Sequence, residues 1–358
     1  MRIAVTGSIA TDHLMVFPGR FAEQLIKEQL ERVSLSFLAD RLEIRRGGVA
    51  ANIAFGLGLL HLNPLLIGAA GQDFAEYRHW LHEHGVDTSA VQVSDTLHTA
   101  RFVCTTDQDQ NQIATFYAGA MAEAARIDLA AVSARTGPPA LVLVGADDPA
   151  AMLRHTATAH RLHIPVAADP SQQLARLDRD QARRLVQGAR WLFTNEYEAA
   201  LLQERTGWSR PELLERVGTW ITTLGAGGVA LDRAGCPRLP VAAVPTDKIA
   251  DPTGAGDAFR AGFLAATAWN LPQERAAQLG CALATTVLES VGTQEYKLLP
   301  ADLITRIDHT YGPAAARALE TQITGERTNP ARPAPAPDGA PPPPAARPAA
   351  RPGAGGRS

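Results

Sequence analysis

Three cysteines in 358 residues, Cys104, Cys236 and Cys281, stand far apart and never form a CxxC pair. That scarcity excludes a disulfide framework, gives no structural zinc site, and suits a reducing compartment. Long hydrophobic runs are missing too, since no stretch approaches the roughly 18 apolar residues a membrane span needs. Net charge is small, −3 at neutral pH, which removes any general electrostatic reason to expect nucleic acid or an anionic membrane as partner. The opening "MRIAVTGSIATDH" reaches polar residues after a few apolar ones. It reads as a first strand rather than a signal peptide, and a cytoplasmic protein is expected.

What is present is 46% hydrophobic content, enough for one large α/β core with at most a small appendage. "RIAVTGS", "PLLIGAA", "ALVLVGA", "IPVAADP", "RWLFTNE" and "TWITTLG" are compact apolar runs that close on polar or glycine-containing turns. Between several of them lie helical patterns: "VAANIAFGLGLLHL", "DPAAMLRHTATAHRL" and "RDQARRLVQG". Buried strands alternating with helices predict a mostly parallel sheet covered on both faces. Residues 31–46 and 97–118 break the rhythm with strand-like runs, one face polar, and no helix between. With residues 10–18 they predict a small antiparallel sheet projecting from the main domain, placed to act as a lid. From residue 325 to 358 the composition turns to Pro, Ala, Arg and Gly with no aromatic residue, so a disordered tail follows a domain of residues 1–324.

The chemistry concentrates in "DPTGAGDAFRAGF", residues 251–263. A glycine turn opening a helix leaves backbone N–H groups aimed at one spot, where they and the helix dipole favour an anion. Asp257 stands at that joint, either as a helix cap or as a base beside the anion site. Other motifs carry less. "GAGGVA", residues 225–230, satisfies a loose dinucleotide fingerprint, but "GGVALD" continues as a strand where that motif demands a helix. His79, His82 and His84 in "HWLHEH" read as the polar end of a surface helix rather than a metal site. Ser8 lacks the following glycine that a nucleophile elbow requires.

"DPTGAGDAFRAGF" resembles the carboxyl-terminal signature of the PfkB/ribokinase family of carbohydrate and nucleoside kinases. "RRGGVAANIAFGLGLL", some 200 residues earlier, resembles that family's amino-terminal glycine pair. The resemblance covers about residues 1–320. Within the family, "VTGSIATDHLM", "SLSFL", "HTARFVCTTD" and "ADPSQQLARL" look most like bacterial adenosine kinases of actinobacterial type. Pro252 stands where ribokinases more often carry Thr, so sugar specificity does not transfer by default.

The resemblance implies a three-layer α/β/α sandwich with a small β-sheet lid, and ATP-dependent phosphorylation of adenosine at its 5′-hydroxyl. It implies Asp257 as general base and the backbone of Gly254, Ala255 and Gly256 as anion hole. Asp12 would grip the ribose hydroxyls beside Gly47, Gly48 and Asn52. Ser8, Ser36, Phe102, Phe116, Gln172, Gln173 and Arg176 fall where such kinases contact the nucleoside, although the two phenylalanines also suit the core of the small sheet. Asn195 and Glu198 in "TNEYE" match the family's Asn-x-x-Glu element. One helical turn apart, they suit either magnesium with its waters or an N-cap with a first-turn Glu. Thr223, Gly225 and Gly228 match the stretch that lines the ATP site. A monovalent cation such as K+ at the Asp251–Thr253 turn and a homodimer through the lid complete the family's expectations. Another family sugar or nucleoside kinase, or a non-catalytic nucleoside-binding protein, are the alternatives.

Overall fold

A strand whose odd and even residues are both apolar must be covered on both faces, and this chain meets that demand with helices. The computed structural model describes residues 1–24 and 35–325. All but the first residue of the expected tail, and the start of the 31–46 stretch, lie outside the described residues. The strands are β1 (Ile3–Thr6), β2 (Ala10–Val16), β3 (Arg41–Gly47), β4 (Leu65–Ala70), β5 (Asp87–Val93), β6 (Ala100–Thr106) and β7 (Gln112–Tyr117). They continue with β8 (Leu141–Val144), β9 (Val166–Ala168), β10 (Trp191–Asn195), β11 (Thr219–Thr223), β12 (Val229–Asp232) and β13 (Leu239–Val241).

Nine of them form one sheet in the order β13-β12-β11-β10-β9-β8-β1-β4-β5. Every pairing in it is parallel except β11–β12 and β12–β13. Alternation sends successive residues to opposite layers. Ile3, Val5, Leu141 and Leu143 join one apolar cluster with the helices Val49–Leu59, Ala255–Ala268 and Gln273–Leu288. Ala4, Val142 and Val144 join a second cluster on the other face, under the helices Pro149–Arg161 and Arg179–Val186. This is the expected α/β/α sandwich. "GGVALD" is strand β12 following a single 3₁₀ turn at Gly225–Gly227, as the rejection of a dinucleotide site required.

The second sheet has four strands in the order β3-β2-β6-β7. It departs from the expected antiparallel arrangement, because β2 and β6 run parallel. The cause lies in the large sheet: β2 follows β1 and β6 follows β5, and both parents leave the same carboxyl edge in the same direction. Of the described part of the 31–46 run, residues 35–46, strand β3 takes only Arg41 onward, with Asp40 N already donating to the carbonyl of Val16 at 3.0 Å.

Candidate active site

Ligands of open α/β sheets collect beyond the carboxyl ends of the strands, and both cavities of interest open there. A larger one, about 1040 Å³, is lined by Asn195 and Thr223 at the ends of β10 and β11, by Glu198, Gly225 and Gly228, and by Gly254 to Asp257. A smaller one, about 560 Å³, lies between the two sheets and is lined by Ser8, Asp12, Gly48, Asn52, Phe102, Phe116, Gln172, Gln173, Arg176, Gly254 and Asp257. Gly254 and Asp257 belong to both.

Gly254 takes a left-handed φ of 81° and starts the helix Ala255–Ala268 with no side-chain cap. The N–H groups of Gly256 and Asp257 have no acceptor among the described residues. The Asp257 carboxylate does not cap them; its Oδ2 accepts from Nδ2 of Asn52 at 2.9 Å. Asn52 is locked in that role, because its Oδ1 accepts from Thr293 Oγ1 and Gln294 Nε2, each at 2.9 Å. Gln294 Nε2 also donates to the Tyr77 hydroxyl at 2.5 Å, and that hydroxyl donates to the carbonyl of Gly47 at 2.8 Å. Burial lifts Asp257 to about 7; the Arg260 guanidinium and the Asn52 amide oppose the rise, while Asp169 and Glu198 add to it.

The small sheet supplies the other wall through one rung across all of its strands. Register pairs Arg45 with Asp12, Asp12 with Phe102, and Phe102 with Phe116. Directly paired residues share a face, so a cation, a carboxylate and two rings meet the smaller cavity together. Phe116 is 52% exposed, which sets aside a core role for it. Asp12 is raised to about 6 by burial, with Glu295 and Asp251 adding and Arg45 opposing. Gly48, at φ 96°, has no room for a side chain, since a Cβ would sit 2.6 Å from Ala10 N and from Ser8 O. Ser8 Oγ accepts from Val49 N at 3.1 Å, at the start of the same helix. Gln173 is 6% exposed and its Oε1 has no partner among the described residues.

Asn195 and Glu198 form a reciprocal capping box: Asn195 Oδ1 accepts from Glu198 N, and Glu198 Oε2 from Asn195 N, both at 2.8 Å. Burial raises Glu198 above its ordinary range, against the pull of the Asn195 amide. No group of three or more His, Cys, Asp or Glu among the described residues is arranged to hold a metal, the "HWLHEH" histidines included. Two expected residues stay outside the cavities. Ser36 is exposed in an irregular stretch, and Gly47 backs the Asp12 carboxylate, whose Oδ2 would be 3.0 Å from a Cβ there.

Sequence reasoning missed Asp169, Arg260, Thr293, Gln294, Tyr77 and Arg45. One signal for Arg260 was legible: an arginine inside "AFRAGFLAA", a helix otherwise apolar all round. The others carry no local signature.

Residues 8–301 match the pfkB family carbohydrate kinase profile. The chain is 31% identical over 271 residues to a nucleoside kinase of Methanothermobacter thermautotrophicus, covering 75% of this chain and 86% of that protein. It is 29% identical over 257 residues to the nucleoside kinase of Methanocaldococcus jannaschii, covering 69% of this chain and 80% of that one. Among solved structures, the Burkholderia thailandensis nucleoside kinase in complex with inosine superposes with a TM-score of 0.76 at 31% identity, covering 87% of this chain and 98% of that one. The same enzyme has been solved in complex with ADP-inosine, with a TM-score of 0.73. These relatives are named as nucleoside kinases, broader than the adenosine kinases the sequence motifs suggested.

Proposed function

The chain belongs to the pfkB family of carbohydrate kinases, and from that premise we propose that it transfers the γ-phosphoryl group of ATP to the 5′-hydroxyl of a purine nucleoside, adenosine first. The observation that carries this reading is the position of Asp257. Among the described residues it is the one carboxylate lining both cavities, and it is bonded to Asn52 rather than to its own helix. A nucleoside in the smaller cavity and ATP in the larger would meet at that residue.

In this reading Asp257 accepts the proton of the attacking hydroxyl, and a base poised near neutrality suits that task. The unpaired N–H groups of Gly256 and Asp257 receive the developing charge of the phosphoryl group. Asp12 takes the ribose hydroxyls, and Phe102 and Phe116 lie against the base. The buried Gln173, with its unpartnered acceptor, supports a base that offers a donor edge, such as the adenine amino group or the hypoxanthine N1–H. Closure of the small sheet over the nucleoside would keep water from the phosphoryl group.

Magnesium, when bound, supplies charge neutralisation on the ATP phosphates. Asn195 and Glu198 already answer each other's backbone, so they suit an ion that keeps its waters and phosphate ligands. At the expected K+ turn, the Asp251 carboxylate accepts from Thr253 N and Gly292 N and faces Arg45. Inosine is the second reading, favoured by the complex of the Burkholderia kinase.

ADP release measured across adenosine, inosine, guanosine, ribose and fructose tests the proposal. Adenosine should give the highest kcat/KM. Faster turnover of inosine would shift the base assignment, and faster turnover of a free sugar would refute the nucleoside reading.

A further inference from the structure

Arg260 is a charged side chain placed where such groups are rarely found, 6% exposed within the helix that carries Asp257. Its partner is equally buried: Asp169, 1% exposed, follows the carboxyl end of β9. Arg260 Nη2 donates to Asp169 Oδ1 at 2.6 Å, and Nε lies 2.5 Å from Oδ2. The other arm, Nη1, donates to the carbonyl of Gly256 at 2.9 Å. A buried ion pair is weak evidence for stability, since desolvation offsets much of the attraction. Its geometry therefore needs another reason.

We propose that Arg260, anchored by Asp169, is a positioning residue for the phosphoryl site: it clamps the Gly256 carbonyl and thereby aims the Asp257 N–H into the cleft. The peptide unit is planar and trans, so its C=O and N–H point in opposite directions. Holding the carbonyl toward Arg260 fixes the amide toward the larger cavity, and the guanidinium fork is rigid enough to bind carboxylate and carbonyl at once. The clamp also explains Gly256 in a way the anion hole alone does not. A Cβ at that position would lie 2.9 Å from Arg260 Nη1, so any side chain there pushes the fork away. The inference rests on the kinase reading, and it adds two residues to the site that touch neither sugar nor base.

The test uses Arg260→Lys, which keeps the buried charge but loses the fork, and Asp169→Asn, which removes the charge and one of the two oxygens that anchor the fork. Both should lower kcat roughly 10- to 100-fold, with KM and Kd for the nucleoside within about twofold. The charged and titratable groups facing Asp257 are Arg260, Asp169, Glu198 and Tyr296. Arg260→Lys therefore leaves the acid limb of the kcat profile in place, whereas Asp169→Asn moves it to lower pH.

Binding of ADP with and without aluminium fluoride, magnesium present, gives a readout free of turnover. The wild-type chain should prefer the fluoride complex, and the variants should lose about tenfold of that preference with ADP affinity unchanged. Unchanged kcat and preference in either folded variant overturn the proposal. Loss of nucleoside or ADP binding, or failure of both variants to fold, overturns it equally by making the pair structural. A wild-type chain that turns over no nucleoside, yet shows the preference and its loss in the variants, would instead refute the kinase reading and leave the clamp standing.

Discussion

Asn52 Nδ2 donates to Asp257 Oδ2 at 2.9 Å across 205 residues of sequence. Asn52 thus serves the proposed base rather than the sugar alone, and removing it has two consequences. Asn52→Ala takes a donor from the ionised form of Asp257 and so raises its pKa. We expect kcat to fall about tenfold at neutral pH and to recover in part at alkaline pH, where the base ionises regardless. A pH–rate profile checks this, and a loss equal at every pH would contradict it.

Asp257 is held at about 7 by burial, so the base is ionised above that value and protonated below it. kcat should therefore rise with pH through about 7, then level off. Asp12, raised to about 6, should add a separate loss of nucleoside affinity, as a rising KM, below that pH. Asp257→Asn removes the base and should lower kcat by about 10²–10⁴ with KM nearly unchanged. Steady-state kinetics at several pH values separates these effects, and near-normal turnover of that variant would refute the base assignment.

Tyr77 holds Gln294 and Gly47 together beneath the site. Tyr77→Phe keeps the ring but leaves the Gly47 carbonyl and a Gln294 donor without that partner. Buried groups orphaned in this way cost about 1–3 kcal/mol. Chemical denaturation should register that loss, with a smaller fall in kcat because Gln294 can still reach Asn52.

Asp147 lies outside the proposed chemistry, 1% exposed, with Oδ1 accepting from Asp148 N at 2.8 Å and Oδ2 unpartnered among the described residues. Burial lifts it to about 8. The folded chain keeps this proton while the unfolded chain, with an ordinary pKa of about 3.9, releases it. Its contribution to stability is therefore full below about pH 4 and is lost as pH rises to about 8. Asp147→Asn, which cannot ionise, should raise Tm at alkaline pH, leave it nearly unchanged at acidic pH, and flatten the dependence between. Thermal melts of both proteins across that range decide it.

The fold was legible because its signals are local. "ALVLVGA" and "PLLIGAA" are apolar on both faces, and only a covered parallel sheet accommodates that pattern. Pattern was weaker in the small sheet, where polar faces and short runs left direction and strand ends open. The site was legible in part for the same reason. Glycines at a strand–helix joint announce an anion site within a few residues, but a buried Asp169 or Gln294 looks like any other polar residue until its partner is in place.

Local chemistry along the chain thus determined where strands, helices and the glycine turn would form, because periodicity and turn preference act over a few neighbours. Only the tertiary structure decided that Arg45, Asp12, Phe102 and Phe116 share one rung, that Asn52 reaches Asp257, and that Arg260 is buried on Asp169. Those relations depend on strand register and on packing between distant segments, and neither is written in any one stretch of sequence.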